Sequence, residues 1–300
     1  MSAESVIGVD LGGTKILAGI VARDGTTGRT IEVPTPDDGD AILSEIDRVI
    51  DELCAEQVRA IGIGVPMPVD ALTGIAFAAA NLQLGEVDIP GRLRARFGLP
   101  VGIENDANAA ALAEWRLGAG VGTRDLVVFT LGTGVGGGLV VGGRLFRGWA
   151  ELGHIVIEPD GPPCQGSCHG HGHLEALASG IAADRAAREL WGDTADARDL
   201  VRRAYDGDGQ AVSALERIGR YLGLAAGSLV NIFTPEKIVV GGGFGAAAGE
   251  ILLRAMRAAA TGEAMAGAAD ELAIVPAAFG EEAGLVGAAL VGFEALDGER

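Results

Sequence analysis

Lysine is almost missing: of 300 residues only Lys15 and Lys237 are lysines, and 41 acidic against 23 basic side chains leave a formal charge of -18. A chain so poor in positive charge lacks the footprint that phosphate backbones require, which argues against nucleic acid as a partner. It equally disfavours an anionic membrane surface. Small anionic ligands stay open, because glycine-rich turns bind phosphate through backbone N–H groups. Cysteine is scarce as well. Three residues, Cys54, Cys164 and Cys168, cannot build a disulfide framework. No apolar run reaches the roughly 18 residues of a membrane span. The opening Met1-Ser2-Ala3-Glu4 shows no basic region followed by a signal-type apolar core. A cytoplasmic protein is the expectation.

What the chain has in quantity is apolar surface and glycine: 48% of residues are hydrophobic and 49 are glycines. That composition points to a large buried core, and a length beyond the usual single domain makes two domains sharing a cleft the expectation. Residues 5–11 and 15–22 are apolar runs of strand length separated by Gly12-Gly13, a hairpin signal. Residues 40–57 carry Ile42, Leu43, Ile46, Val49, Ile50 and Leu53 at helical spacing. A buried strand at 59–65, a short strand at 100–103 and a helix from Ala107 to Leu117 follow. Near residue 125 the pattern restarts, with a strand at 125–131, a glycine turn at Gly132–Gly137 and a return strand. Residues 150–175 read as irregular, 176–230 as mainly helical, and 237–241 as a strand ending in Gly241-Gly242-Gly243. A helix, a strand near 272–276 and a terminal helix from about 284 close the chain. Two similar hairpin units about 120 residues apart suggest two related α/β lobes.

Gly132, Gly134 and Gly137 match G-x-G-x-x-G, but a dinucleotide fingerprint needs a helix after the turn, and Leu139-Val140-Val141 is a strand. A Walker loop is excluded too, since Gly13 precedes Thr14 and not Lys-Ser/Thr. What remains is a pair of Gly/Thr-tipped hairpins. Glycine N–H groups there can approach phosphate oxygens closely, and Thr14 and Thr133 add hydroxyls. Asp10, ending its strand, suits a hydrated Mg²⁺. Asp106, between a strand and a helix, reads either as a helix cap or as a carboxylate projected for chemistry. His154 reads equally as a metal ligand or a loop histidine. Cys164, Cys168, His169, His171 and His173 pack five possible soft ligands into ten residues, a spacing suited to tetrahedral zinc.

Four stretches occur in order: Asp10-Leu11-Gly12-Gly13-Thr14-Lys15, Glu104-Asn105-Asp106-Ala107-Asn108, Leu131-Gly132-Thr133-Gly134-Val135-Gly136-Gly137-Gly138, and Glu151-Leu152-Gly153-His154. Together they resemble the ROK family (repressors, open reading frames and kinases), most of all its bacterial glucokinases. The resemblance runs to Gly284-Leu285-Val286-Gly287-Ala288-Ala289. It implies the actin/hexokinase-like (ribonuclease H-like) two-lobe fold, with ATP and sugar in the interlobe cleft, and homodimers as the common assembly. The lobes implied are 1–115, with helix 285–300 packing on it, and 116–284. By resemblance, Asp10, Gly12, Gly13, Thr14, Lys15, Thr133 and Gly134 hold the phosphates, with Mg²⁺, and Gly242 and Gly243 lie by the adenosine. Asp106 becomes the catalytic base, and Asn81, Asn105, Asp106, Glu151, His154 and Glu175 the sugar contacts. The reaction implied is ATP-dependent phosphorylation of the 6-hydroxyl of a hexose, glucose first.

The resemblance also implies a structural zinc held by His154, Cys164, Cys168 and His173, with His171 as competitor for the last place. Two departures from the family pattern bear on the sugar. Only Trp149 and Ala150 separate Gly148 from Glu151, where relatives carry a longer loop, and Met67 stands where glycine is common. Alternatives within the class are fructose, N-acetylglucosamine or N-acetylmannosamine as acceptor, or polyphosphate as donor. A sugar-responsive repressor is the alternative from another class. It is disfavoured because the first phosphate hairpin begins by residue 6, with no helix-turn-helix ahead of it.

Overall fold

A computed structural model of the chain describes residues 4–54, 58–70, 73–76, 84, 87–166 and 168–298. The chain begins with three antiparallel strands, β1 (Ser5–Leu11), β2 (Lys15–Ala22) and β3 (Thr27–Pro34). Helix α1 (Gly39–Leu53) follows; Asp38 caps it by accepting from the Ala41 N–H, and Ile42, Ile46, Val49, Ile50 and Leu53 form its buried stripe. Then come β4 (Ile61–Val65), α2 (Ile89–Phe97), β5 (Val101–Asn105) and α3 (Asp106–Leu117). The β4 and β5 strands are parallel to β1, and the sheet order is β3-β2-β1-β4-β5.

The same plan then repeats. An antiparallel run of β6 (Leu126–Leu131), β7 (Val135–Val141) and β8 (Arg144–Leu145) leads through a 3₁₀ turn, Leu152–His154, to four helices. These are α4 (Leu174–Ala178), α5 (Gly180–Trp191), α6 (Ala197–Tyr205) and α7 (Gly209–Phe233). Strand β9 (Lys237–Gly241), helix α8 (Gly243–Glu263) and strand β10 (Ala273–Pro276) complete it. Both β9 and β10 are parallel to β6, giving the order β10-β9-β6-β7-β8. Renumbered from its own first strand, this sheet has the order of the first. The final helix, α9 (Ala283–Asp297), belongs to the first sheet.

Contacts divide the chain into two compact units. One holds residues 1–117, Arg147–Trp149 and 282–300; the other holds 118–146 and 150–281. In the first, Gly8, Gly62 and Gly102 are register partners on β1, β4 and β5. A Cβ on Gly62 would lie 1.8 Å from the Ala288 carbonyl oxygen, so only a bare backbone lets α9 settle this closely on the sheet. Three strands or α-helices were not expected from the sequence: β3, α2 and the two-residue β8. The strand expected at 100–103 runs on to Asn105, which puts Glu104 and Asn105 inside it. Among the described residues no helix is long and apolar enough to cross a membrane.

Candidate active site

The residues singled out above divide between the two units. Asp10–Lys15, Asn105 and Asp106 lie in the first; Thr133, Gly134, Glu151, His154, Cys164, Cys168, His173, Glu175, Gly242 and Gly243 lie in the second. Asn81 lies outside the described residues.

In the first unit the β1–β2 turn is closed by the Gly12 N–H donating to the Lys15 carbonyl at 2.9 Å. Thr35 braces it, its hydroxyl donating to the Gly12 carbonyl at 2.7 Å and its N–H to the Thr14 carbonyl at 3.0 Å. Gly13 and Thr14 are left exposed at the tip. Lys15 pairs with Glu32 at 2.9 Å. Asp10 sits where the first turn of α9 presses on it; a Cβ at Gly284 would lie 2.3 Å from its Oδ2. Burial pushes its carboxyl up to about 6, while the Lys15 charge pulls the other way.

Strand β5 ends where α3 begins, and the helix cap there is Asn105. Its Oδ1 accepts from the N–H groups of Ala107 at 3.0 Å and Asn108 at 3.1 Å. Asp106 is therefore the first helical residue, and its Oδ1 accepts from the Ala107 N–H at 2.7 Å. Negative charge at this position is favoured by the helix dipole. With Oδ1 committed to the cap, Asn105 offers a ligand only its Nδ2 donor, whose contact to the Met67 carbonyl is long at 3.5 Å.

In the second unit the β6–β7 turn is held by the Gly132 N–H donating to the Gly134 carbonyl at 3.1 Å. The start of α5 docks on it, Gly180 N–H donating to the Gly132 carbonyl at 2.8 Å. Gly132 and Thr133 are exposed. Gly242 has φ of +79° and packs so tightly on Leu131 that a Cβ would lie 2.4 Å from its carbonyl oxygen. The glycine end of β9 thus stands directly beside the second turn. Glu175, in the first turn of α4, accepts from the Val135 N–H at 2.9 Å. Glu151 precedes the 3₁₀ turn that carries His154. Its carboxyl is held above the usual carboxylate range by loss of surrounding water, with His154 acting against this and Glu175 adding to it.

His154, Cys164, Cys168 and His173 come together, one donor atom from each lying within 4.8 Å of every other. The Nδ1 atoms of the two histidines are 3.2 Å apart, Cys164 Sγ lies 3.7 Å from His154 Nδ1, and Cys168 Sγ lies 3.5 Å from His173 Nδ1. Zinc–nitrogen bonds of about 2.0–2.1 Å and zinc–sulfur bonds of about 2.3 Å make a tetrahedron with N–N and N–S edges of about 3.3 and 3.6 Å. The donors fit that ion in type, number and spacing. His171 is exposed and stands outside the group. The loop is shaped by bridges of Val156 with His173 and of Pro163 with His171.

Sequence reading missed three contributors. Gln165 Nε2 donates to the Glu175 carbonyl at 2.9 Å and to Ser179 Oγ at 2.7 Å, fastening the Cys/His loop to α4. Buried Glu104 pairs with half-buried Arg147, Nε to Oε2 at 3.0 Å, beside Asn105–Asp106. Glu104 opens a stretch already singled out, but nothing local in sequence marks its pairing with Arg147, because the partners are 43 residues apart.

The ROK family model matches residues 6–293. The glucokinase of Streptomyces coelicolor is 35% identical, covering 94% of this chain and 96% of its own. The N-acetylmannosamine kinase of Shigella flexneri is 34% identical, covering 96% and 98%. Among solved structures, a ROK family glucokinase from Streptomyces griseus in complex with glucose and AMPPNP superposes with a TM-score of 0.86 at 34% identity, covering 97% of this chain and 99% of that one. Two sheets of one topology, glycine turns in both and the match along nearly the whole length lead to one assignment: the chain belongs to the ROK family.

Proposed function

We propose that this protein is an ATP-dependent hexose kinase that phosphorylates the 6-hydroxyl of glucose, with Asp106 as general base. The observation that carries the reading is that Asn105, and not Asp106, caps α3. Asn105 thereby makes the capping bonds that a lone aspartate at a helix start would make, and the Asp106 carboxylate, which keeps one bond from the Ala107 N–H, is the group proposed to accept a proton. Phosphoryl transfer asks the protein for positioning and charge stabilisation more than for covalent chemistry. Asp106 accepts the proton of the attacking hydroxyl. Asn105 Nδ2, Glu151, His154, Glu175 and Asn81 supply the mixed donors and acceptors that a sugar's hydroxyls require.

The exposed turns at Gly12-Gly13-Thr14 and Gly132-Thr133-Gly134 offer backbone N–H groups and hydroxyls to the phosphates, with Lys15 adding charge at the first turn. Gly242 and Gly243, at the glycine end of β9 beside the second turn, lie by the adenosine on this reading. When bound, Mg²⁺ with the triphosphate neutralises the charge that builds on the transferred group; Asp10 is the residue placed to hold its water shell. His154, Cys164, Cys168 and His173 would hold a structural zinc, fixing the loop that presents His154 and Glu175. The protein on this reading works in the cytoplasm as a homodimer, its lobes being 1–115 with the C-terminal helix, and 116–284.

N-acetylmannosamine is the second acceptor to weigh, on the strength of the 34% identical kinase for that sugar. The test is a coupled assay across glucose, mannose, fructose, N-acetylglucosamine and N-acetylmannosamine, with ATP and with polyphosphate. Turnover of glucose with ATP is expected, and it should fall by a factor of about a hundred or more in Asp106→Asn while glucose still binds. No turnover of any sugar with either donor sinks the kinase reading.

A further inference from the structure

Beside Asp106 lies a charged network that the phosphotransfer scheme above does not use. Glu104 is a strand residue whose side chain is only 5% exposed. Its Oε1 accepts from the Asn105 N–H and from Asn108 Nδ2, both at 3.2 Å. Its Oε2 accepts from Arg147 Nε at 3.0 Å, and Arg147 Nη2 donates to Glu294 Oε2 on α9 at 2.6 Å. One buried carboxylate therefore grips the residue before Asp106 and the residue two after it. Arg147 bridges that carboxylate to a second one and supplies the charge that makes its burial tolerable.

We propose that Arg147, acting through Glu104, is a positioning residue for Asp106. The inference rests on Asp106 being the base. Removing the guanidinium leaves a buried carboxylate without this counter-charge, a state that drives the group toward water or toward protonation. Either response loosens the hydrogen bonds to Asn105 and Asn108 that bracket Asp106. A base displaced by a fraction of an ångström loses rate much more than it loses affinity, because the proposed sugar grip is spread over several other side chains. Arginine is required because one head group must serve two carboxylates in different directions, which a lysine's point charge does poorly.

The experiment compares kcat with glucose affinity in Arg147→Gln, Arg147→Lys and the double variant Glu104→Gln/Arg147→Gln, beside Asp106→Asn in the same assay. Arg147→Gln is expected to lose about tenfold or more in kcat with the glucose Kd held within about threefold. The double variant, which removes the stranded charge but keeps an acceptor for Asn105 and Asn108, should recover most of that loss. A folded Arg147→Gln protein with parental kcat, a loss confined to Kd, or a double variant no better than the single one each overturns the role. If Arg147→Gln does not fold, Arg147→Lys decides: a kcat about threefold or more below the parent supports the bridge, and a parental value removes it. Turnover retained in Asp106→Asn brings down the base and this role together; turnover lost there but kept in Arg147→Gln brings down the positioning role alone.

Discussion

Glu175 accepts a hydrogen bond from the backbone N–H of Val135 at 2.9 Å, so the return strand of the second glycine turn holds a carboxylate proposed to bind the sugar. The contact is close because Gly134 has no side chain: a Cβ there would lie 2.2 Å from Glu175 Oε2. Turn and carboxylate are thereby one mechanical piece. Gly134→Ala is expected to leave the fold intact, since Gly134 is not one of the positive-φ glycines. The new methyl must displace Glu175, and the glucose KM should rise by about tenfold or more. Steady-state kinetics with a melting curve on the same sample check this; a parental KM would show that Glu175 does not set sugar binding.

The four-donor cluster should hold one zinc per chain. Cys164, pushed up to about 11 by burial and then by Cys168 and Glu175, is poorly ionised without a cation, so binding should release protons and weaken as pH falls. Elemental analysis of purified protein should find zinc, and Cys168→Ser should lose most of it. Prolonged chelation should lower the melting temperature and raise the glucose KM, because the loop carries His154 and, through Gln165, is tied to Glu175. Unchanged zinc content in Cys168→Ser would refute this ligand set.

The glycine turns and the Cys/His loop could be read from the sequence for a physical reason, whereas the roles proposed for Asn105, Asp106, Glu151, His154 and Glu175 came only from the family resemblance. Turns that approach a ligand need glycine and threonine at fixed spacing, and soft metal ligands are rare enough to stand out in a loop. The elements that escaped reading have weak local signals. Strand β3 alternates Thr30, Glu32 and Pro34 with only Ile31 and Val33, a polar edge that resembles a loop. Helix α2 has nine residues and only Ile89, Pro90 and Leu93 buried, too few for a period to show; its cap by Asp88 on Gly91 is its clearest mark. The Glu104–Arg147–Glu294 chain spans 190 residues of sequence, and such pairing is set by tertiary packing alone.

Asp10 gives the protein a predictable dependence on pH. Its folded pKa of about 6 lies above the ordinary aspartate value of 3.8, so folding favours the protonated form. The sign follows directly: well below pH 4 the group is neutral in both states and has no effect, and as pH rises from there toward 6 the unfolded state ionises first and gains. Above 6 the destabilisation is complete, on the order of 3 kcal/mol for a rise from 3.8 to about 6. Asp10→Asn, without ligands, should therefore melt higher than the parent at pH 7.5 and nearly with it at pH 4, while losing kinase activity. Equal stabilities at both pH values would show that Asp10 is not desolvated.

Ala150, the residue just before Glu151, has a φ of +42°, a left-handed backbone that alanine rarely adopts. It closes the short loop from Gly148, and its carbonyl accepts from the Leu152 N–H at 2.8 Å, which locks the entry to the 3₁₀ turn carrying His154. Strain of this kind costs on the order of 1–3 kcal/mol, while glycine at the same place costs about 0.4–1 kcal/mol in unfolded-state entropy. Ala150→Gly should thus be stabilising by about 1 kcal/mol in denaturant unfolding. The same freedom releases Glu151, an exposed residue whose carboxyl is raised by partial loss of water and by the Glu175 charge. A more stable protein with a higher glucose KM is the expected pair of results, since strain that orients Glu151 predicts both. A variant less stable than the parent, or one whose KM is unmoved, would place the strain outside the sugar site.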